Sequence, residues 1–472
     1  MKTIDKIYIN GRFVTPHGKE AYDLINPTNN KLIGQVILAD ETDTREAIAA
    51  AKEAFKTFSK TTVSQRKEYL QRLYEAASKR KDEMVEIMVR EYGGTLQFCR
   101  MSTQNAINAF TRAIDTLDIF EFERKVNESQ VVLEPLGVVG IITPWNSSNS
   151  FIGSKLSMAI AAGCTAVIKP SEMSASQTEI FTRCLHEAGL PAGVINVVTG
   201  LGQVVGNELT INPDIAKISF TGSTAVGKTI AKGAVDTMKR VTLELGGKSP
   251  NIILDDADFN AAIPVAVTAA FQNSGQACIV GSRLLVPEGR LEEVKNLIRE
   301  TVNNKVKVDD PSKEDTTVGP MVSRKQYERV QSYIKLGIEE GAELIAGGEG
   351  HPQGLEAGNF VKATVFANVK PGMRIEQEEI FGPVLSVITY KDETEAIKIA
   401  NDTVYGLMAY VSSGDNDRAL RVARQIDAGR IAINGLKHDP LAPFGGFKQS
   451  GIGREYGVYG LEEYLEIKTL IQ

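Results

Sequence analysis

The chain has 472 residues, too many for one ordinary hydrophobic core and enough for two or three domains. Its composition, 42% hydrophobic and 24% charged, is that of a globular protein and excludes a disordered or fibrous one. A formal net charge of −6 gives no electrostatic reason to expect nucleic acid or an anionic membrane surface as a partner.

The N-terminal "MKTIDKIYINGRF" has no long apolar run and no small-residue cleavage site, so no signal peptide is expected. The longest apolar runs, such as "VVGIIT" and "AAIPVAV", fall far short of the ~20 residues a membrane helix needs. The cysteines Cys99, Cys164, Cys184 and Cys278 form no CxxC pair, and His17, His186, His351 and His438 do not cluster with them. Neither a zinc site nor a disulfide framework is expected, and reduced thiols in the cytoplasm are the simplest reading.

Residues 5–40 read as short strands and turns. An amphipathic helix is predicted from about Thr44 to Phe58, with Ile48, Ala51, Phe55 and Phe58 on one face. A second is predicted from an N-cap near Ser64 through Leu70, Leu73, Ala77, Met84, Ile87 and Met88, ending at Gly93-Gly94. Residues 117–135 read as a projecting β-hairpin. From Val138 short apolar strands alternate with helices: "GVVGIIT", "TAVIKP", "VINVVTG" and "KISFTG" are strands, each followed by a helix. That alternation implies βαβ units and a parallel sheet covered on both faces. A second alternating stretch begins near Asn251 and reads as a second α/β domain.

Several short segments carry chemistry. "FQNSGQACIVGSR" (271–283) surrounds Cys278 with small and polar residues, and that thiol is either a small core hydrophobe or a reactive group. Glu244 in "VTLELGGKSPN" lies just before Gly246-Gly247. It is either a solvated strand end or an acid in a cleft, where apolar surroundings would raise its pKa toward that of a general base. "ITPWNSSN" follows a strand; Asn146 there is either turn chemistry or an N–H donor to an oxyanion. In "AVIKPSE", Lys169 and Glu172 have the chemistry to bond ribose hydroxyls. In "SFTGSTAVGK", Gly222 and Ser223 stand between a strand and a helix, where backbone N–H groups suit a pyrophosphate. "TGLGQVVG" holds Gly200 and Gly202 but lacks the GxGxxG spacing, its third glycine being Gly206. "EEIFGPV" (378–384) and "PFGGFKQSGIGRE" (443–455) are Gly- and Pro-rich loops with embedded charges.

In order, residue type and spacing these segments together resemble the aldehyde dehydrogenase superfamily, over essentially the whole chain. The agreement at Phe271, Asn273, Gly275, Gln276 and Cys278, at "LELGGKSP" and at "EEIFGPV" is specific. The resemblance implies an α/β fold. A Rossmann-like NAD-binding domain would take residues 1–116 and 136–246, a catalytic domain 247–440, and an oligomerisation arm 117–135 and 456–472. It implies oxidation of an aldehyde to a carboxylic acid with NAD, NADP being a possible substitute. Cys278 would be the nucleophile, Glu244 the base that activates water, Asn146 the oxyanion donor, and Lys155 with Glu455 a proton relay. Lys169 and Glu172 would meet the adenosine ribose, Ser223 the pyrophosphate, and Glu379 and Phe381 the nicotinamide end. Thr143, Pro144, Trp145, Ser171, Gly202, Phe220, Gly222 and Leu245 would complete the cofactor site. A homodimer or homotetramer is implied, with Arg240, Arg454 and Glu466 at an interface. No metal, nucleic acid or membrane is implied.

The sequence departs from the family where Ser147, Ser148 and Ser154 replace residues that are often aromatic and wall the aldehyde tunnel. A wider or more polar pocket is expected, with small simple aldehydes poor substrates. Ala225 stands where many relatives have Glu, at no expected cost in activity. Two alternatives remain at this point. One is a semialdehyde dehydrogenase of narrow specificity, for which the sequence alone places no basic group in the tunnel. The other is a non-catalytic member of the fold, against which Cys278 and Glu244 both stand.

Overall fold

The computed structural model describes residues 2–471, and the strands of these described residues form four sheets. The N-terminal segment holds β1 (Lys2–Ile4), β2 (Ile7–Ile9), β3 (Arg12–Val14), β4 (Ala21–Asn26) and β5 (Lys31–Ile37). β1, β5 and β4 make a small sheet of their own.

Helix α1 (Glu41–Phe58) starts at Asp40, which forms a capping box with Asp43, and it buries Ile48, Ala51 and Phe58. The single helix expected next is two, α2 (Val63–Ser78) and α3 (Lys81–Tyr92), and the N-cap is Thr62 rather than Ser64. The break at Lys79-Arg80 is silent in the pattern because Leu70, Leu73 and Ala77 before it and Met84 and Met88 after it all keep helical spacing. α3 ends at Gly93 in the left-handed conformation (φ 78°). α4 (Leu96–Ile119) was not foreseen; it buries Ala106, Ile107, Phe110, Ala113 and Leu117. The hairpin is therefore shorter than expected, β6 (Glu123–Val126) and β7 (Ser129–Pro135).

The alternating stretch folds as the pattern implies. It runs β8 (Val138–Ile142), α5 (Ser148–Ala162), β9 (Thr165–Lys169), α6 (Ala175–Glu187), β10 (Ile195–Val197), α7 (Asn207–Ile211), β11 (Ile215–Thr221), α8 (Thr224–Val235) and β12 (Arg240–Glu244). β8, β9 and β10 are laid down in one direction. The chain then returns to place β11 and β12 on the other side of β8. The reversal between β8 and β11 is a topological switch, and ligands of open α/β sheets bind at the carboxyl ends of the strands beside it. β2 and β3 extend one edge of this sheet.

The second α/β unit comprises β13 (Pro250–Ile253), α9 (Phe259–Phe271), β14 (Arg283–Pro287), α10 (Leu291–Lys305), α11 (Arg324–Glu339), β15 (Glu343–Ala346), β16 (Thr364–Ala367), α12 (Arg374–Gln377), β17 (Val384–Tyr390), α13 (Glu393–Asn401), β18 (Met408–Ser412), α14 (Asn416–Ala423) and β19 (Arg430–Ile433). Its sheet has the order β15-β16-β17-β14-β13-β18-β19, parallel except for β15. The chain then returns: β20 (Gly451–Ile452) pairs with β12 on the first sheet, α15 (Gly457–Glu462) follows, and β21 (Leu465–Leu470) pairs antiparallel with β7. The two arms thus pair with each other inside one chain. Arg240 likewise reaches Glu466 of its own chain at 2.7 Å, and Arg454 donates to the carbonyls of Gly446 and Gly453. Among the described residues no helix is long and apolar enough to cross a membrane.

Arg283 on β14 ties the second unit together. Fully buried, it pairs with Glu376 at 2.9 Å and donates to the carbonyls of Lys248, Ile399 and Ala400. Arg283→Met leaves the buried Glu376 and three carbonyls without that partner. It is predicted to cost about 3–5 kcal/mol, read as a lower urea midpoint; an unchanged midpoint would remove the claim.

Candidate active site

The crevice at the switch is lined from both sides. After β8 the chain runs Thr143, Pro144, Trp145 and Asn146, with the Thr143 N–H on the Lys169 carbonyl at the end of β9 (3.1 Å). After β11 come Gly222 and Ser223, and after β12 Leu245. The hydroxyls of Thr143 and Thr221, at the ends of β8 and β11, are buried without a hydrogen-bond partner. Buried polar groups are seldom left so, and a pair of them in a crevice marks a place for a polar ligand.

The cofactor candidates do not all stand there for the expected reason. Lys169 and Glu172 pair with each other at 3.2 Å. Ser171 caps the single turn Glu172–Ser174. Ser223 caps α8 and is exposed, whereas the Gly222 N–H is already spent on the Glu244 carbonyl at 3.0 Å and is not free for a phosphate. Phe220 and Leu245 are core residues. Gly202 is exposed on the turn after β10, and a β-carbon there would meet nothing.

Gly246 and Gly247 make room for the protein itself. A β-carbon on Gly246 would lie 2.4 Å from Glu379 Oε2, and one on Gly247 would lie 2.5 Å from the Cys278 carbonyl. The Gly247 N–H donates to Glu379 Oε1 at 3.0 Å. The end of the first unit, the cysteine loop and the "EEIFGPV" loop therefore meet at one point. Phe381, at φ 63°, turns that loop so that its ring stands edge-on to Trp145, centroids 5.4 Å apart.

The cysteine loop is clamped. Asn273, Ser274 and Gly275 are successively left-handed (φ 50°, 57° and 72°), and Gly275 packs against the backbone of Gly382 too closely for any side chain. Such a run persists only where its surroundings hold it. Tyr92 at the end of α3 donates to Asn273 Oδ1 (2.8 Å), Val322 N–H donates to Gln276 Oε1 (3.0 Å), and Gly319 N–H donates to the Ser274 hydroxyl (2.8 Å). Asn146, 5% exposed, donates one amide hydrogen to the Gln276 carbonyl at 2.9 Å, two residues from Cys278. Its second amide hydrogen and the Cys278 N–H are bound to no carbonyl among the described residues.

Glu244, 3% exposed, has neither carboxylate oxygen hydrogen-bonded. Burial, and then the charge of Glu455, hold its pKa well above the carboxylate range, in the direction expected of an acid in an apolar cleft. Glu455 is ion-paired with the fully buried Lys155. Burial, then Glu379 and Glu244, push the Cys278 thiol up to about 12. The other cysteines are buried in the core, Cys184 on α6, Cys164 ahead of β9 and Cys99 on α4. Sequence reasoning missed Tyr92 and Ser450. The Ser450 hydroxyl bridges the Gly246 carbonyl (2.7 Å) and the Gly406 N–H (2.9 Å). Ser450 lies within 443–455 and Tyr92 just before Gly93-Gly94, but no spacing rule points to either hydroxyl because its partners are far along the chain.

The sequence profile of the aldehyde dehydrogenase family matches residues 13–470, and the chain belongs to that family. It is similar to a 3-succinoylsemialdehyde-pyridine dehydrogenase of Pseudomonas sp., 44% identical with 100% of this chain and 99% of the relative covered. Among solved structures it is similar to aldehyde dehydrogenase C of Pseudomonas syringae, crystallised as a cysteine-to-alanine mutant with NAD+ and octanal. That likeness has a TM-score of 0.97 at 44% identity over 99% of this chain and 96% of the other. An aldehyde dehydrogenase of Mycobacterium tuberculosis with NAD+ gives a TM-score of 0.97 at 37% identity, over 100% and 98%.

The thiol environment gives a pH prediction. A pKa raised this far keeps Cys278 a neutral thiol at neutral pH, so its thiolate fraction grows about tenfold per pH unit. Iodoacetamide without nucleotide is predicted to label Cys278 alone, at a rate climbing without a plateau from about pH 7 to about pH 9. A plateau near neutrality would mean an already ionised thiol.

Proposed function

We propose that the protein oxidises an aldehyde to a carboxylic acid with NAD+, using Cys278 as nucleophile, Glu244 as base and Asn146 as oxyanion donor. The observation that carries this is the meeting, in one cleft, of a thiol, an amide with a free hydrogen beside it, and a buried carboxyl without partners. NAD+, when bound, supplies the hydride acceptor and a positive charge. The residues suited to hold it are those of the switch crevice: the unpartnered hydroxyls of Thr143 and Thr221, the Lys169–Glu172 pair, Ser223 at the start of α8, and Glu379 fixed on Gly247. A carboxylate at Glu172 would favour a ribose 2′-hydroxyl over a 2′-phosphate, hence NAD+ over NADP+.

The Cys278 sulfur gives up its proton, which leaves by way of the Lys155–Glu455 pair beside Glu244, and bonds to the aldehyde carbon. The former carbonyl oxygen takes the negative charge and is met by the Asn146 amide and the Cys278 N–H. The hydride then leaves that carbon as the carbonyl re-forms, and a thioester remains on Cys278. Glu244, ionised, takes a proton from water, whose oxygen attacks the thioester carbon. The C–S bond breaks, the acid leaves and the thiol is restored. The proton on the restored thiol is the one Glu244 took from water. Reduced thiols suit a cytoplasmic setting. Exposed Ile467 and Leu470 on the outer β21 suit pairing with a second copy, as dimer or tetramer.

Cys278→Ala is predicted to abolish NADH formation with every aldehyde. Glu244→Gln is predicted to keep a rapid burst of one NADH per site and lose about 10²–10⁴-fold in steady turnover. A mutant Glu244→Gln with no burst would place the glutamate before hydride transfer instead. A wider, more polar tunnel at Ser147, Ser148 and Ser154 predicts that acetaldehyde is not the best substrate in an aldehyde panel.

A further inference from the structure

Beyond the reacting groups, a small cleft opens between α4 and α5 under the loop around His438. Asn105, Ala109 and Arg112 line it from α4, Ser150, Ser154, Ser157 and Met158 from α5, and His438, Pro440 and Tyr456 from the C-terminal loop. No lining residue is acidic. Arg112 is half-buried, and its guanidinium has one polar side-chain partner among the described residues, Asn105 Oδ1 at 3.2 Å. It makes no ion pair there: Asp115, a turn further on α4, does not reach it, and the Asp439 carboxylate is engaged by the N–H groups of Leu441 and Ala442. Arg430, the other cation nearby, spends its hydrogens on His438 and on the carbonyls of Pro443, Asp439 and Ala442. A partly desolvated guanidinium without an anion is a costly group, and burial already lowers its pKa.

Helix α5 leads from the oxyanion-donor candidate to this cleft. Ser147, Ser150 and Ser154 lie at i, i+3 and i+7, on one face of the helix, and Ser147 follows Asn146 directly. The face thus runs outward about 10 Å from the oxyanion donor. On the opposite wall Tyr456 follows Glu455, and its phenol is near enough to Glu244 and Cys278 to feel their charge.

We infer that this cleft is the far end of the aldehyde site and that Arg112 there binds a carboxylate of the substrate, making the preferred substrate an oxo acid, an aldehyde whose other end is anionic. The guanidinium would take the carboxylate through paired N–H bonds, and the serine hydroxyls would line the path between. This rests on the dehydrogenase reading above and narrows its substrate. The basic group that an acidic substrate needs comes from the one long helix that sequence patterning did not reveal.

The test is initial-rate NADH formation with a series of ω-oxo acids, their methyl esters and n-alkanals of matched length, for the wild type, Arg112→Gln and Arg112→Lys. The wild type is expected to prefer acid over ester at least about 10-fold in kcat/KM. Arg112→Gln is expected to raise KM for the acid about 10–100-fold with kcat and the ester kinetics little changed, and Arg112→Lys to recover part. Equal use of acid and ester by the wild type, or an equal loss on both in Arg112→Gln, overturns the inference while leaving the dehydrogenase intact. No turnover of any aldehyde overturns the dehydrogenase reading itself. A thermal melt of each variant separates loss of fold, since Arg112 is half exposed and Asn105 faces the open cleft.

Discussion

The close approach at Gly246-Gly247 fixes where the chemistry can happen. One glycine admits the Glu379 carboxylate and the next admits the Cys278 carbonyl, each at a distance no side chain allows. Because β12 ends in Glu244 just before them, the strand that delivers the acid also delivers the two residues against which the thiol loop and the "EEIFGPV" loop are seated. The geometry of three loops is therefore set by backbone contact, which has little freedom to relax. The Ser450 hydroxyl on the Gly246 carbonyl and the Gly406 N–H locks the same turn from the far side.

The strained run Asn273–Gly275 follows from this. The chain must leave α9, reverse, and present Cys278 to a cleft made mostly by the other sheet. Tyr92 and Gln276 supply the hydrogen bonds that keep the reversal in place, and Asn146 reads the result through the Gln276 carbonyl. Asn146 and the thiol loop thus share one carbonyl as their mutual reference, which ties the two sheets together at the proposed site.

Much of this was legible in the sequence because the signals were local. Strand–helix alternation from Val138 gave the parallel sheets; Glu244 and Cys278 stood in short glycine-containing segments, and Asn146 in a Pro-Trp-Asn turn after a strand. What stayed hidden was non-local or masked. The break at Lys79-Arg80 interrupts no apolar period. α4 carries Asn, Thr, Gln and Ser among its apolar positions, so its stripe is weak in one dimension. The roles of Gly246 and Gly247 depend on Glu379 and Cys278, far along the chain, and no spacing rule links them. Gly222 suggested a phosphate contact by position, yet the partner of its N–H, the Glu244 carbonyl, is visible only once β11 and β12 are side by side.

Charge balance then explains the resting state of the cleft. Burial, and then the charge of Glu455, raise the pKa of Glu244, while Lys155 is paired with Glu455. Burial and Glu379, joined by Glu244, in turn raise the pKa of the Cys278 thiol. Low dielectric and negative neighbours thus act on both groups in the same direction, against the ionised form. Both groups lose a proton in the proposed reaction, and the Lys155–Glu455 pair lies beside Glu244. Tyr456, next to Glu455 in the chain, also lines the Arg112 cleft, so the proton-bearing groups and the proposed carboxylate site share that wall.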